Sequence, residues 1–182
     1  MAIDFASRSA LLALARGAIV ADLGGIAEAA APPLPIFEQR CGAFVTLTQR
    51  ARLRGCIGRI ESDTPLRALI PDIARSAAFA DPRFDPVVAR DLESLVVEIS
   101  LLSSLSSPVT AADVVVGRHG LLIIGRGRRG LLLPQVAVEH EWTAEEFVEQ
   151  TCIKAGLDAD AWRADGVRLQ TFTADVFSEE DD

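Results

Sequence analysis

Apolar residues recur at helical spacing from the start of the chain. Phe5, Leu11, Leu12, Ala15, Ile19 and Leu23 fall on one face, and Gly24-Gly25 ends the run, which predicts an amphipathic helix over residues 5–22. Ala29-Ala30-Ala31-Pro32-Pro33-Leu34-Pro35 follows as a stiff connector with few backbone donors. From Cys41 to Gln49 the period changes to two, with Ala43, Val45 and Leu47 on one face and Phe44, Thr46 and Thr48 on the other, the pattern of a strand. Gln49–Arg52 is the predicted turn and Leu53–Ile60 the returning strand. A turn centred on Arg50–Ala51 sets Cys56 opposite Val45 or Thr46, so a Cys41–Cys56 bridge is not expected.

Thr64-Pro65 opens a second helix, whose apolar face is Leu66, Leu69, Ile70, Ile73, Ala77 and Phe79. Pro71 lies inside that pattern and is expected to kink or split the helix. Asp81-Pro82-Arg83-Phe84-Asp85-Pro86 is a double-proline loop. Leu95–Leu102 reads as a strand with Glu98 in its middle. Leu121–Ile124 and Arg129–Leu133 read as a hairpin around a glycine-rich turn, closed by Pro134. Thr143-Ala144-Glu145-Glu146 is a capping box for a helix to Ala155, stopped by Gly156. Val167–Thr173 is the last expected strand, and Ser178–Asp182 a solvated acidic tail. Helices and strands mix without regular βαβ alternation. The fold class is therefore α+β, with mixed or antiparallel sheets and flanking helices.

Composition narrows the function classes. At 182 residues and 49% hydrophobic the chain is long enough for one domain with a sizeable core. No apolar run approaches the roughly 20 residues that span a bilayer. Met1-Ala2-Ile3-Asp4-Phe5 lacks the features of a signal peptide, so a cytoplasmic location is expected. Three cysteines, at 41, 56 and 152, are too few and too scattered for a disulfide framework. With only His119 and His140 besides, no metal-ligand spacing exists, and neither metal nor cofactor is expected. The net charge is −8, yet seven Arg between Arg40 and Arg75 stand against Glu61, Asp63 and Asp72. That basic island suits a small anionic ligand. An RNA-binding reading fits the same charge but lacks interleaved aromatics, since only Phe44 lies near.

The chemistry-bearing stretch is Leu53-Arg54-Gly55-Cys56-Ile57-Gly58. Two glycines in a strand imply that backbone or ligand approaches closely there. Simple alternation puts Arg54, Cys56 and Gly58 on one face, about 7 Å between Arg54 and Cys56. Cations beside a thiol favour its reactive thiolate form, whereas a lone strand cysteine is otherwise a small packing residue. His119, between glycines ahead of a strand, is either a turn residue or the general base. Glu98 needs Arg54 or Arg59 as partner if it faces inward, and has no role if it faces solvent. Gly125-Arg126-Gly127-Arg128-Arg129-Gly130 lacks the features of a phosphate-binding loop and reads as a basic hairpin tip. The candidate catalytic residues are thus Cys56, His119 and Glu98, and the candidate ligand-binding residues Arg54, Gly55, Gly58 and Arg75.

The hexapeptide resembles the hallmark of the AMMECR-type domain family. Phe44–Leu47, Ala74–Phe84, Glu98–Leu102, Gly117–Leu121, Arg129–Ala137, Trp142, Glu146-Phe147 and Cys152–Leu157 fit the same pattern in order and spacing. The resemblance covers residues 5–178 as a single domain, with 179–182 as a tail, and departs at Pro71. It implies two unequal lobes with the hexapeptide near a cleft between them. The chain is similar to the bacterial and archaeal members called AmmeMemoRadiSam system protein A, which implies a Memo-like protein and a radical SAM protein as partners. Two functions are expected: a small enzyme or enzyme component acting on an anionic or carbonyl-bearing small molecule, or a non-catalytic adaptor.

Overall fold

The computed structural model describes residues 3–24 and 33–181, so most of the Ala29–Pro35 connector lies outside the described residues. The chain divides into two compact units, Met1–Leu102 with Asp175–Asp182, and Ser103–Ala174. Helices and antiparallel sheets make the fold α+β.

In the first unit, β1 (Ala43–Gln49) and β2 (Arg52–Arg59) form the expected hairpin, and Cys56 stands opposite Thr46. The turn residues Arg50 and Ala51 have φ of 52° and 59°, the left-handed pair that a two-residue hairpin turn requires. β3 (Leu95–Leu102) pairs antiparallel with the other side of β1, and β7 (Ala174–Ser178) completes the sheet order β2-β1-β3-β7. α1 (Phe5–Gly24) and α2 (Leu66–Phe79) cover one face of this sheet. Leu11, Ala15 and Ile19 of α1, with Leu66, Leu69, Ile70 and Ile73 of α2, bury against Ala43, Val45, Leu47, Val97 and Ile99. Each large side chain so buried contributes about 1.5–3 kcal/mol. Phe5, expected on this apolar face, is 68% exposed at the first residue of α1.

Two expectations need correction. Of the kink or split expected at Pro71, the split does not occur: α2 is one helix, Pro71 is buried among its neighbours, and the packing of Leu66, Leu69, Ile70 and Ile73 carries the helix across the missing N–H. The acidic tail begins with an anchored residue rather than a solvated one. The Glu179 carboxylate accepts from the Val97 N–H at 2.8 Å and from the Arg16 guanidinium, while its own N–H donates to the Val97 carbonyl. β7 itself escapes sequence reading because only Phe177 of its five residues is buried.

In the second unit, β4 (Gly120–Gly125) pairs with β5 (Arg128–Leu132) across an Arg126-Gly127 turn, and with β6 (Arg168–Phe172) on its other side. Pro134 does more than close the hairpin, since it opens a short helix, α3 (Pro134–Glu139), at a position that needs no N–H. α4 (Ala144–Lys154) carries the expected capping box, with the Glu146 N–H donating to Thr143 Oγ1 and the Thr143 N–H to the Glu146 carboxylate. Gly156, at φ 73°, supplies the left-handed stop. Leu121, Ile123, Phe147, Val148 and Cys152 form this unit's core.

A left-handed alanine costs about 1–2 kcal/mol relative to glycine, partly offset by the extra entropy glycine loses on folding. Ala51→Gly is therefore expected to stabilise the protein by about 0.5–1 kcal/mol. A rise in the urea midpoint at unchanged slope checks it.

Candidate functional site

The two glycines of the hexapeptide have separate and internal reasons. A Cβ on Gly55 would overlap the Ala77 carbonyl in the last turn of α2. A Cβ on Gly58 would overlap the Ala43 carbonyl and the Phe44 ring. Of the two alternatives, ligand or backbone, the space beside both glycines is filled by the chain's own atoms. Gly55 lets α2 lie close on β2, and Gly58 seats the ring of its cross-strand partner Phe44.

Between them, Cys56 sits on the sheet face that α1 and α2 leave uncovered. The Cys56–Thr46 pair turns its Cys56 backbone groups outward, away from β1, so the two side chains lie on the close type of cross-strand pair. Thr46 Oγ1 donates to Cys56 Sγ at 3.4 Å. On the far side of Thr46 stands Glu98 of β3. Cys56, Thr46 and Glu98 thus form one row across three strands, all half-buried. All three cysteines are free thiols. Burial pushes the Cys41 thiol above its ordinary pKa, and that of Cys152 likewise.

Arg54 does not follow the expected alternation. The register slips between Leu47 and Thr48, so Gly55 faces Leu47, Leu53 faces Thr48, and Arg54 is the unpaired residue of a β-bulge. Its guanidinium donates to the Asp85 and Pro86 carbonyls and to Asp91, whose other oxygen accepts from Gln49. Arg59 pairs with Asp72 at 2.8 Å. Arg75 belongs to the helix layer, on the opposite side of the sheet from Cys56, and donates to Asp22 of α1 at 3.1 Å. His119 belongs to the second unit, just ahead of β4, and its Nδ1 accepts from the Val115 N–H at 3.1 Å.

Asp81 and Arg83 were not singled out by sequence reading, and they hold Cys56 by its backbone. β2 is an edge strand, and an edge exposes unpaired N–H and C=O groups. The Cys56 N–H donates to Asp81 Oδ2 at 2.9 Å, and Arg83 Nη2 donates to the Cys56 carbonyl at 3.1 Å. Arg83 Nε and Nη2 also bond the two Asp81 oxygens at 2.9 and 2.6 Å. The Asp81 residue is only 5% exposed, and the Arg83 guanidinium, with the Cys56 N–H, holds its carboxyl well below the usual carboxylate range. The sequence signals here are the double-proline loop, which announces a turn without its target, and the family-like run Ala74–Phe84, which gives neither residue a partner. Among the described residues no three His, Cys, Asp or Glu side chains come together as a metal site, and no helix is long and apolar enough to cross a membrane.

Asp81→Asn tests this clasp. It should cost about 1.5–3 kcal/mol near neutral pH, the worth of hydrogen bonds to a charged group. The folded Asp81 pKa lies below its ordinary 3.8, so its contribution is full above that value and disappears as pH falls through the folded pKa. Urea unfolding should therefore show the gap between wild type and variant closing as pH falls below about 4.

The AMMECR1 family pattern matches residues 12–177. A Methanothermobacter thermautotrophicus protein is 42% identical over 178 residues, which cover 93% of each chain. A Methanosarcina acetivorans protein is 44% identical over 152 residues, 81% of this chain and 76% of the relative. The crystal structure of the uncharacterized protein PH0010 from Pyrococcus horikoshii superposes with a TM-score of 0.85 at 38% identity, over 93% of this chain and 90% of that one. By the extent of the family match and the identity of these relatives, the chain belongs to the AMMECR1 family.

Proposed function

We propose that the chain is a small cytoplasmic enzyme, or enzyme component, whose reacting group is the Cys56 thiol and whose substrate is a small anionic or carbonyl-bearing molecule. The observation that carries this reading is the Cys56–Thr46–Glu98 row on the sheet face that α1 and α2 leave uncovered. In this reading the Thr46 hydroxyl, donating to sulfur, orients the Cys56 side chain, and Glu98, one strand further along the row, takes up the proton. Addition to a carbonyl then balances without an oxidant. The sulfur lone pair forms the C–S bond, the C=O π pair moves to oxygen, and the proton released by the thiol ends on that oxygen. His119, the other candidate base, belongs to the second unit. The Memo-like and radical SAM proteins that the family resemblance implies are the proposed neighbours in the pathway.

An adaptor reading draws on a different observation. Gly55 and Gly58 are filled by the chain's own atoms and Arg54 bonds its own loops, so the hexapeptide also makes sense as a rigid docking surface.

Alkylation by iodoacetamide separates the two. On the enzyme reading Cys56 reacts at pH 7 about tenfold faster than Cys41 or Cys152, and Thr46→Val slows it about threefold or more. An inert Cys56 overturns the enzyme reading. Micromolar association with the Memo-like protein, unchanged by Cys56→Ala, then supports the adaptor.

A further inference from the structure

We infer that Arg83, fixed by Asp81, is the charged group that serves the Cys56 thiol and receives the anionic end of a carboxylate-bearing substrate, the place sequence reading gives to Arg54. The proposal rests on Cys56 being the reacting group.

Three observations carry it. First, the Arg54 guanidinium is occupied by two loop carbonyls and Asp91, with its side chain only 17% exposed, whereas Arg83 is 53% exposed. Arg83 Nε and Nη2 hold Asp81 and the Cys56 carbonyl, and among the described residues nothing bonds Nη1, which keeps two N–H donors for an oxyanion. Second, the contact with the Cys56 carbonyl sets the guanidinium beside the residue that bears the sulfur. Arg83 is held above its ordinary pKa chiefly by Asp81, against the effect of burial, and the neighbouring Cys56 side chain adds to this. Because Asp81 is buried and anchored to the Cys56 N–H, the guanidinium is preorganised rather than free to swing, which is what positioning a reacting group demands.

The third observation is independent of that cluster and points to a ligand. Ser100 of β3 is 1% exposed, and its hydroxyl has no hydrogen-bond partner among the described residues. By strand alternation it lies on the same face as Glu98, and it is the cross-strand partner of Phe44, whose ring is drawn over Gly58 on β2. A buried hydroxyl left without a protein partner is unusual, and an ordered water or a polar group of a ligand would supply one. From strand spacing and rise, Ser100 lies roughly 12 Å across the face from Cys56. The substrate class that fits is an extended molecule, with a carboxylate at Arg83, an electrophilic carbon at Cys56 and a polar group at the Ser100 end.

Iodoacetate and iodoacetamide test the anion site, since they are nearly the same size and react identically. The thiolate sulfur bonds the CH₂ carbon, and iodide leaves with the C–I electron pair. Any change in thiolate fraction alters both rates equally, so their ratio at Cys56 reports anion recruitment alone. Mass spectrometry of the three cysteine peptides follows it, with Cys41 as internal reference. Arg83→Gln is expected to lower the iodoacetate-to-iodoacetamide ratio at Cys56 about tenfold, the worth of one charge-assisted bond, and to leave the ratio at Cys41 unchanged. If Arg83→Gln does not fold, Arg83→Lys replaces it. Lysine still pairs Asp81 but lacks the outer nitrogen, so the ratio should fall in the same direction. An unchanged ratio in the folded variant, or a fall in Arg54→Gln instead, overturns the inference while leaving a reactive Cys56 in place. A Cys56 inert to both reagents overturns the enzyme reading itself.

Discussion

An edge strand must do something with its outward peptide groups, and here β2 gives those of Cys56 to an ion pair. Asp81 stands where a neighbouring strand would offer a carbonyl, and Arg83 where it would offer an N–H. The hexapeptide therefore ends its sheet without inviting another chain, and its cysteine is gripped by its backbone as well as through its sulfur. The rest of the first unit is consistent with this need. α2 delivers the Asp81 loop one residue past its C-cap, Ala80, and Gly55 lets the end of α2 come close enough to β2 for the loop to arrive.

The sheet then divides its work between faces. Ala43, Val45, Leu47, Val97 and Ile99 face the helices and provide the burial that stabilises the unit. Thr46, Cys56, Glu98 and Ser100 face the other way. Arg54 is the residue that crosses this division. The bulge turns it out of register and commits it to Asp91, where it ties the start of β2 to the segment before β3.

Much of this was legible from residue pattern. Period-two alternation sets the β1–β2 register correctly, and Thr143 with Glu146 marks the start of α4 to the residue. β3 matches its predicted bounds because six of its eight residues are Val, Ile or Leu, despite Glu98 and Ser100 between them. What escaped has a common cause in interactions between distant segments. A bulge of one residue at Arg54 leaves no mark in local periodicity. Arg83 differs from any surface arginine only in meeting a strand 27 positions away, and Glu179 differs from its acidic neighbours only in reaching Val97. β7 is short and half polar, and it is held by its partners rather than by its own pattern.

The position of β7 in the chain bears on how the protein is made. β3 ends at Leu102, and the strand that shields its outer edge begins at Ala174, after the whole of the second unit. During synthesis the β3 edge stays bare until the residues of the second unit have been made. Closing so long a loop also delays the last step of sheet formation. Throughout that interval the nascent first unit offers Val97 and its neighbours to any stray strand, a hazard that ends only when Glu179 docks.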